Sequence, residues 1–139
     1  MKVKNLMHKG IEWVSPETPV TTVAKKMKRN DVGAIPVVDN GQLIGMVTDR
    51  DVATRGVAND KNIAKLTAKE IMTKGVFSCS SDDSAKAAAR LMESKRVRRL
   101  PVVDRNKNIV GMLSLGDICH TSKRRQAAKL LTAVSGHHN

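Results

Sequence analysis

The chain repeats itself. Shifted by 65 residues, Leu6-Met7-His8-Lys9-Gly10 falls on Ile71-Met72-Thr73-Lys74-Gly75, and Ile35-Pro36-Val37-Val38-Asp39 falls on Leu100-Pro101-Val102-Val103-Asp104. Val20, Val23, Ala24 and Met27 fall on Ala85, Ala88, Ala89 and Met92. One extra residue in the second loop moves the shift to 66, and Leu43-Ile44-Gly45-Met46-Val47-Thr48 then falls on Ile109-Val110-Gly111-Met112-Leu113-Ser114. Two Pro-Val-Val-Asp blocks and two Gly-Met blocks do not keep register by chance. The chain is a tandem duplication, apart from a C-terminal tail.

Each copy reads as β-α-β-β-α. A short strand is expected at Ile11–Val14, and its counterpart at Val76–Cys79. The helix of the first copy opens at Thr18-Pro19, with Thr as cap and Pro at the first helical position. Val20, Val23, Ala24 and Met27 then form one apolar stripe. The β-branched runs Ala34–Val38 and Leu43–Thr48 flank Asp39-Asn40-Gly41 and read as a hairpin. A second helix follows from about Asp49 to Arg55. Gly56–Leu66 is polar and reads as a linker. Thr67-Ala68-Lys69-Glu70 has the form of a capping box that leads into the second copy. The expected division is repeat 1 with its N-terminal segment and linker over 1–62, repeat 2 over 63–122, and a basic, helical tail over 123–139. A unit of ~60 residues buries only about 60 % of its unfolded surface, so the two copies are expected to pack sheet to sheet as a pseudo-two-fold α/β pair.

Composition narrows the class. One Trp, one Phe and no Tyr leave the core to Val, Ile, Leu, Met and Ala. No apolar run reaches the ~18 residues of a membrane span, and the first residues do not read as a secretory signal. Cys79 and Cys119 make neither a disulfide framework nor a metal-ligand spacing, which fits a cytoplasmic setting. The formal charge of +12 calls for anionic partners.

The chemistry concentrates where the third strand of each copy ends. Gly45-Met46-Val47-Thr48-Asp49-Arg50-Asp51 and Gly111-Met112-Leu113-Ser114-Leu115-Gly116-Asp117 share glycine, two apolar residues, a hydroxyl, two variable residues and Asp. Two readings stand at this point. The hydroxyl and free backbone N–H groups suit a phosphate, the Asp suits a ribose diol, and the glycine leaves room beside the path. Alternatively, Thr48 and Ser114 are plain N-caps, with Asp51 and Asp117 adding charge to the first turn. Arg98 and Arg99 precede the second strand of repeat 2 and offer forked donors for phosphate, or else form a solvated basic edge. Repeat 1 has Gly33-Ala34 there. Pro36 and Pro101 cannot donate to a ladder, so each marks an edge or a strand start. Ile35-Pro36 and Leu100-Pro101 are counted with the site, because an adjacent carbonyl or N–H would then face a ligand.

With those residues in view, the chain resembles a tandem pair of cystathionine-β-synthase (CBS) domains, a Bateman module, over about Lys4 to Ser122. Its length and its Thr48-Asp49-Arg50-Asp51 run are similar to the small two-repeat proteins of bacteria and archaea. The resemblance implies a regulatory module without catalytic residues or a required cofactor. It would bind AMP, ADP, ATP or S-adenosylmethionine in clefts between the repeats, form a homodimer, and signal to a partner protein. It carries the hydroxyl and ribose-binding Asp over to Thr48 with Asp51 and to Ser114 with Asp117, and the phosphate contacts to Arg98 and Arg99. Asp49 adds negative charge beside Thr48, so the cleft with Ser114, Asp117, Arg98 and Arg99 is expected to be the better nucleotide site.

Other classes are weaker. No Ser-His-Asp or Cys-His arrangement is suggested, and His8 and His120 have no histidine counterpart in the other copy. His137-His138 reads as a solvated end rather than a metal site, and the cysteines read as small buried residues. Trp13 either stacks on an adenine or is partly buried at a contact. A basic stripe of Lys25, Lys26, Lys28, Arg29, Arg90, Lys95, Arg96 and the Lys123-Arg124-Arg125 run is the best argument for nucleic acid, but no interleaved aromatics accompany it. A scaffold with empty clefts is the third reading.

Overall fold

The computed structural model describes residues 1–59, 62–120 and 134. They form two compact units. One is Glu12–Val76; the other joins Met1–Ile11 to the described residues from Phe77 onward.

In the Glu12–Val76 unit, α1 (Val20–Asn30) is followed by β1 (Ala34–Asp39) and β2 (Gln42–Thr48). The α1 stripe buries Val20, Val23 and Met27 as its spacing requires. The strands pair antiparallel, Ala34 opposite Thr48 and Asp39 opposite Gln42. The loop is Asn40-Gly41, with φ of 51° and 80°. Two left-handed residues in a row match the twist of the hairpin, which is why Asn-Gly stands there. Val14 bridges Val37 in parallel. The Pro36 carbonyl accepts the Val14 N–H at 3.0 Å, so the proline nitrogen lies on the side away from β2, where a missing N–H costs no rung. After β2 the chain turns through α2 (Asp49–Asp51) into one wider turn over Val52–Gly56, and α3 (Ala68–Ile71) follows.

The second unit repeats the plan. Cys79–Ser80 forms β3, which pairs parallel with β4 (Arg99–Val103); β4 pairs antiparallel with β5 (Ile109–Ser114). Between β3 and β4 runs α4 (Ala85–Lys95), and α5 (Leu115–Cys119) follows β5. Val14↔Val37 and Cys79↔Val102 are the same pairing 65 residues apart. Each unit has its own aliphatic core. Ile35, Val37, Val47, Ile71 and Met72 centre the first, and Val3, Met92, Leu100, Val102 and Leu113 the second. Each such side chain contributes about 1.5–3 kcal/mol on full burial.

Several expectations change. The division does not follow the order of the repeats. Met1–Ile11 belongs with repeat 2, because Val3 N–H donates to Asp83 O and His8 exchanges hydrogen bonds with Met112 at 2.9 and 3.1 Å. In the same way, Thr73 exchanges hydrogen bonds with Met46 at 2.8 and 3.0 Å. The capping box at Thr67 is present, and Glu70 accepts from the Thr67 N–H and hydroxyl. The helix it starts, α3, packs in the unit of repeat 1 rather than opening repeat 2. Leu66, at the end of the expected linker, is buried in that core. Thr18 does not cap α1; Pro19 holds the cap position, and the Thr18 hydroxyl accepts the Ser15 N–H. The expected first strands shrink to the Val14 bridge and the two residues of β3. The tail expected over 123–139 lies outside the described residues except Val134, which is buried in the second core.

Candidate functional site

Thr48 ends β2 and Ser114 ends β5, each extended at the N-cap of the helix that follows. The turn builds the same reciprocal lock in both units. Thr48 N–H donates to Asp51 Oδ2 at 2.9 Å, and Asp51 N–H donates to Thr48 Oγ1 at 3.1 Å. Ser114 N–H donates to Asp117 Oδ2 at 2.8 Å, and Asp117 N–H donates to Ser114 Oγ at 3.2 Å. The capping reading of these four residues is therefore realised in full. Each lock uses one carboxylate oxygen on the backbone and leaves Oδ1 directed elsewhere.

The two Oδ1 atoms meet different groups. Asp51 is buried. The Thr73 hydroxyl lies 3.3 Å from both its oxygens, and Arg55 Nε lies 3.8 Å from Oδ1. Arg55 also donates to the Met72 carbonyl at 3.0 Å, which ties the wide turn to the incoming segment. Asp117 Oδ1 accepts from His8 Nε2 at 2.8 Å, and 13 % of the Asp117 side chain is exposed. Thr73 and His8 are counterparts under the 65-residue shift. The sequence pattern did not assign either to the site; their matched places after Met7 and Met72 were the available signal.

Glycine has a different role from the one expected. A Cβ on Gly45 would lie 2.6 Å from Met72 Sδ and 2.9 Å from the Thr73 carbonyl oxygen. On Gly111 it would lie 2.7 Å from the His8 carbonyl oxygen and 2.8 Å from Met7 Sδ. The space belongs to the chain's own crossing segments, which approach too closely for any side chain.

Arg98 and Arg99 are exposed at the start of β4, and Arg99 stands opposite Ser114 in the ladder. Neither guanidinium has an ion-pair partner among the described residues. Ile35 and Leu100 belong to the cores, each 1 % exposed, so neither side chain is open to a ligand. Pro36 and Pro101 are buried third residues of β1 and β4, inside the strands rather than at their starts. Trp13 is 49 % exposed. Among the described residues, no three His, Cys, Asp or Glu side chains are grouped as a metal ion would need. None of their helices is long and apolar enough to cross a membrane.

This pair of related units, each carrying a locked hydroxyl and Asp at a strand-to-helix turn, matches a known family. The CBS domain model matches twice, at residues 3–57 and 68–124, and the chain belongs to that family. The CBS domain-containing protein YhcV of Bacillus subtilis is 38% identical over 134 residues, covering 96% of this chain and 94% of its own. Hypoxic Response Protein I, solved with two coordinated zinc ions, superposes with a TM-score of 0.80 at 28% identity, covering 88% of this chain and 100% of that one. The CBS domain pair of protein MJ0100, solved with 5′-methylthioadenosine and S-adenosyl-L-methionine, superposes at 0.75 with 27% identity, covering 86% of this chain and 98% of that one.

Proposed function

We propose that the chain is a ligand-sensing regulatory module that binds adenosine nucleotides or related adenosine compounds at Thr48 with Asp51 and at Ser114 with Asp117. The observation that carries this reading is the locked Asp. Its backbone bond through Oδ2 fixes the carboxylate, and Oδ1 meets a side chain that a ribose hydroxyl can replace: Thr73 in one unit, His8 in the other. A carboxylate accepts and never donates, so a diol is the matching partner. The adenosine compounds held by the MJ0100 pair support the same ligand class. Arg98 and Arg99 supply forked donors for phosphate beside Ser114, and the second site takes nucleotide more tightly than the first.

Ligand binding changes the relative population of two arrangements of the chain to the extent that its affinity for them differs. A homodimer that presents this change to a regulated partner protein completes the reading.

The test is thermal unfolding with AMP, ADP, ATP and S-adenosylmethionine from micromolar to millimolar. At a hundred times its dissociation constant a ligand adds about 2.7 kcal/mol. A saturable rise with at least one of them is expected, abolished by Asp117→Ala for AMP, ADP or ATP and by Asp51→Ala for S-adenosylmethionine, each measured from that variant's own baseline. No rise with any of them overturns the proposal.

A further inference from the structure

The two sites share a backbone and differ in charge. Ala34 stands opposite Thr48, and Asp49 N–H donates to Gly33 O at 3.0 Å. In the same frame Arg99 stands opposite Ser114, and Leu115 N–H donates to Arg98 O at 2.7 Å. The side chains on this common frame differ in charge at three places, Asp49, Gly33 and Ala34, each more negative than its counterpart. Asp49 is exposed, and its carboxylate lies against Gly33, where an added Cβ would meet Oδ2 at 3.1 Å. Its counterpart Leu115 is turned into the core. Gly33 and Ala34 bring no charge; their counterparts Arg98 and Arg99 bring two exposed cations. Even the left-handed residue that ends the preceding helix follows the trend, Asp31 at φ 52° against Arg96 at φ 57°.

Arg50 is the countercharge in the first unit, but only its backbone N–H bonds Asp49, at 2.8 Å from Oδ1. No cation lies within ion-pair reach of the Asp49 carboxylate among the described residues. Arg55, the nearest paired cation of the first unit, is held on Asp51; a phosphate placed at Thr48 therefore has the Asp49 carboxylate beside it, whereas one placed at Ser114 has two exposed arginines on the neighbouring strand start.

Resting on the adenosine reading above, we propose that the two sites select ligands of different charge. The Thr48/Asp51 site takes an adenosine compound without a 5′-phosphate, either uncharged or cationic at that end. The Ser114/Asp117 site takes a phosphorylated one. The chain then responds to two chemical classes rather than to two molecules of one nucleotide.

Calorimetry on the full chain tests this with adenosine, S-adenosylmethionine, AMP and ADP, at low and at physiological salt. The Asp117→Ala chain is expected to keep adenosine or S-adenosylmethionine and to lose at least tenfold in affinity for AMP and ADP. Asp51→Ala is expected to do the reverse. Asp117→Asn and Asp51→Asn, which keep an acceptor for the cap, replace the alanine variants if these do not fold. In the Asp117→Ala background, Gly33→Arg with Ala34→Arg and Asp49→Leu is expected to raise AMP affinity at least tenfold. AMP binding as tightly as adenosine to the Asp117→Ala chain overturns the inference while leaving the adenosine reading intact. No heat from any of the four compounds with the unaltered chain overturns both.

Discussion

His8 Nε2 lies 2.8 Å from Asp117 Oδ1, in the place where Thr73 approaches Asp51 in the other unit. Each site Asp is thus faced by a residue from the segment that precedes the other repeat in sequence. The His8 side chain is 72% exposed, and a solvated pair of this kind is worth about 0–1 kcal/mol. His8→Thr, which copies the other unit, is therefore expected to change urea stability by less than about 1 kcal/mol. Asp117→Ala removes the acceptor for the Ser114 N–H as well and is expected to cost more, about 1–2 kcal/mol. Equal losses in the two variants would show that the imidazole rather than the cap anchors the carboxylate.

The arrangement also predicts what an N-terminal deletion does. Val3 is fully buried in the core of the second unit, Met7 packs against that core, and His8 pairs with Met112. Removing residues 1–10 is expected to weaken protection from hydrogen exchange in β5 and α5 while α1, β1 and β2 keep theirs. A synthetic peptide of residues 1–11 is expected to restore the lost protection. Loss confined to the Glu12–Val76 unit would contradict the observed pairing.

That pairing was the part the sequence hid. The duplication, both hairpins, both helix stripes and the hydroxyl-to-Asp turns follow from local spacing and were legible. For segment 6–10 the sequence offers two nearly identical edges, Gly45-Met46 and Gly111-Met112, and a backbone ladder carries no side-chain code to tell them apart. Alignment by repeat assigns the segment to the copy it precedes; the fold assigns it to the other. The same non-local choice explains the glycines, which looked like room for a ligand and are room for Thr73 and His8. Ile35 and Leu100 were expected in the site itself, but strand alternation turns their side chains into the cores.

Those glycines are the sharpest packing test. At each position the new methyl meets a carbonyl oxygen at 2.9 or 2.7 Å as well as a methionine sulfur. The sulfur can move on its flexible chain, but the carbonyl belongs to a paired segment. Gly45→Ala and Gly111→Ala are each expected to cost about 1–3 kcal/mol, as overpacking does. Exchange of the Thr73 amide should accelerate in the first variant and that of His8 in the second. A neutral effect at both would mean that the segments separate from their strands at little cost.

Cys79 gives the alkaline limb of stability. The residue is 3% exposed, and burial, with the Asp83 carboxylate adding to it, pushes the thiol pKa from an ordinary 9.0 up to about 11. Above pH 9 the unfolded chain gives up this proton while the folded chain holds it. The unfolded state then binds fewer protons, so stability falls as pH rises through the window from about 9 to 11. The loss from this one group is about 1 kcal/mol by pH 10, since holding one proton the unfolded chain has released costs about 1.4 kcal/mol for each step of one in pH. Guanidinium unfolding at pH 8 and pH 10 separates it from lysine titration when Cys79→Ala is run beside the unaltered chain. The variant is expected to start lower, having lost a buried sulfur, and to fall less between the two pH values. Thiol reagents at pH 8 should label Cys119 well before Cys79, because only a thiolate attacks. Equal slopes in the two chains, or early labelling of Cys79, would mean that the thiol titrates as it does in the unfolded chain.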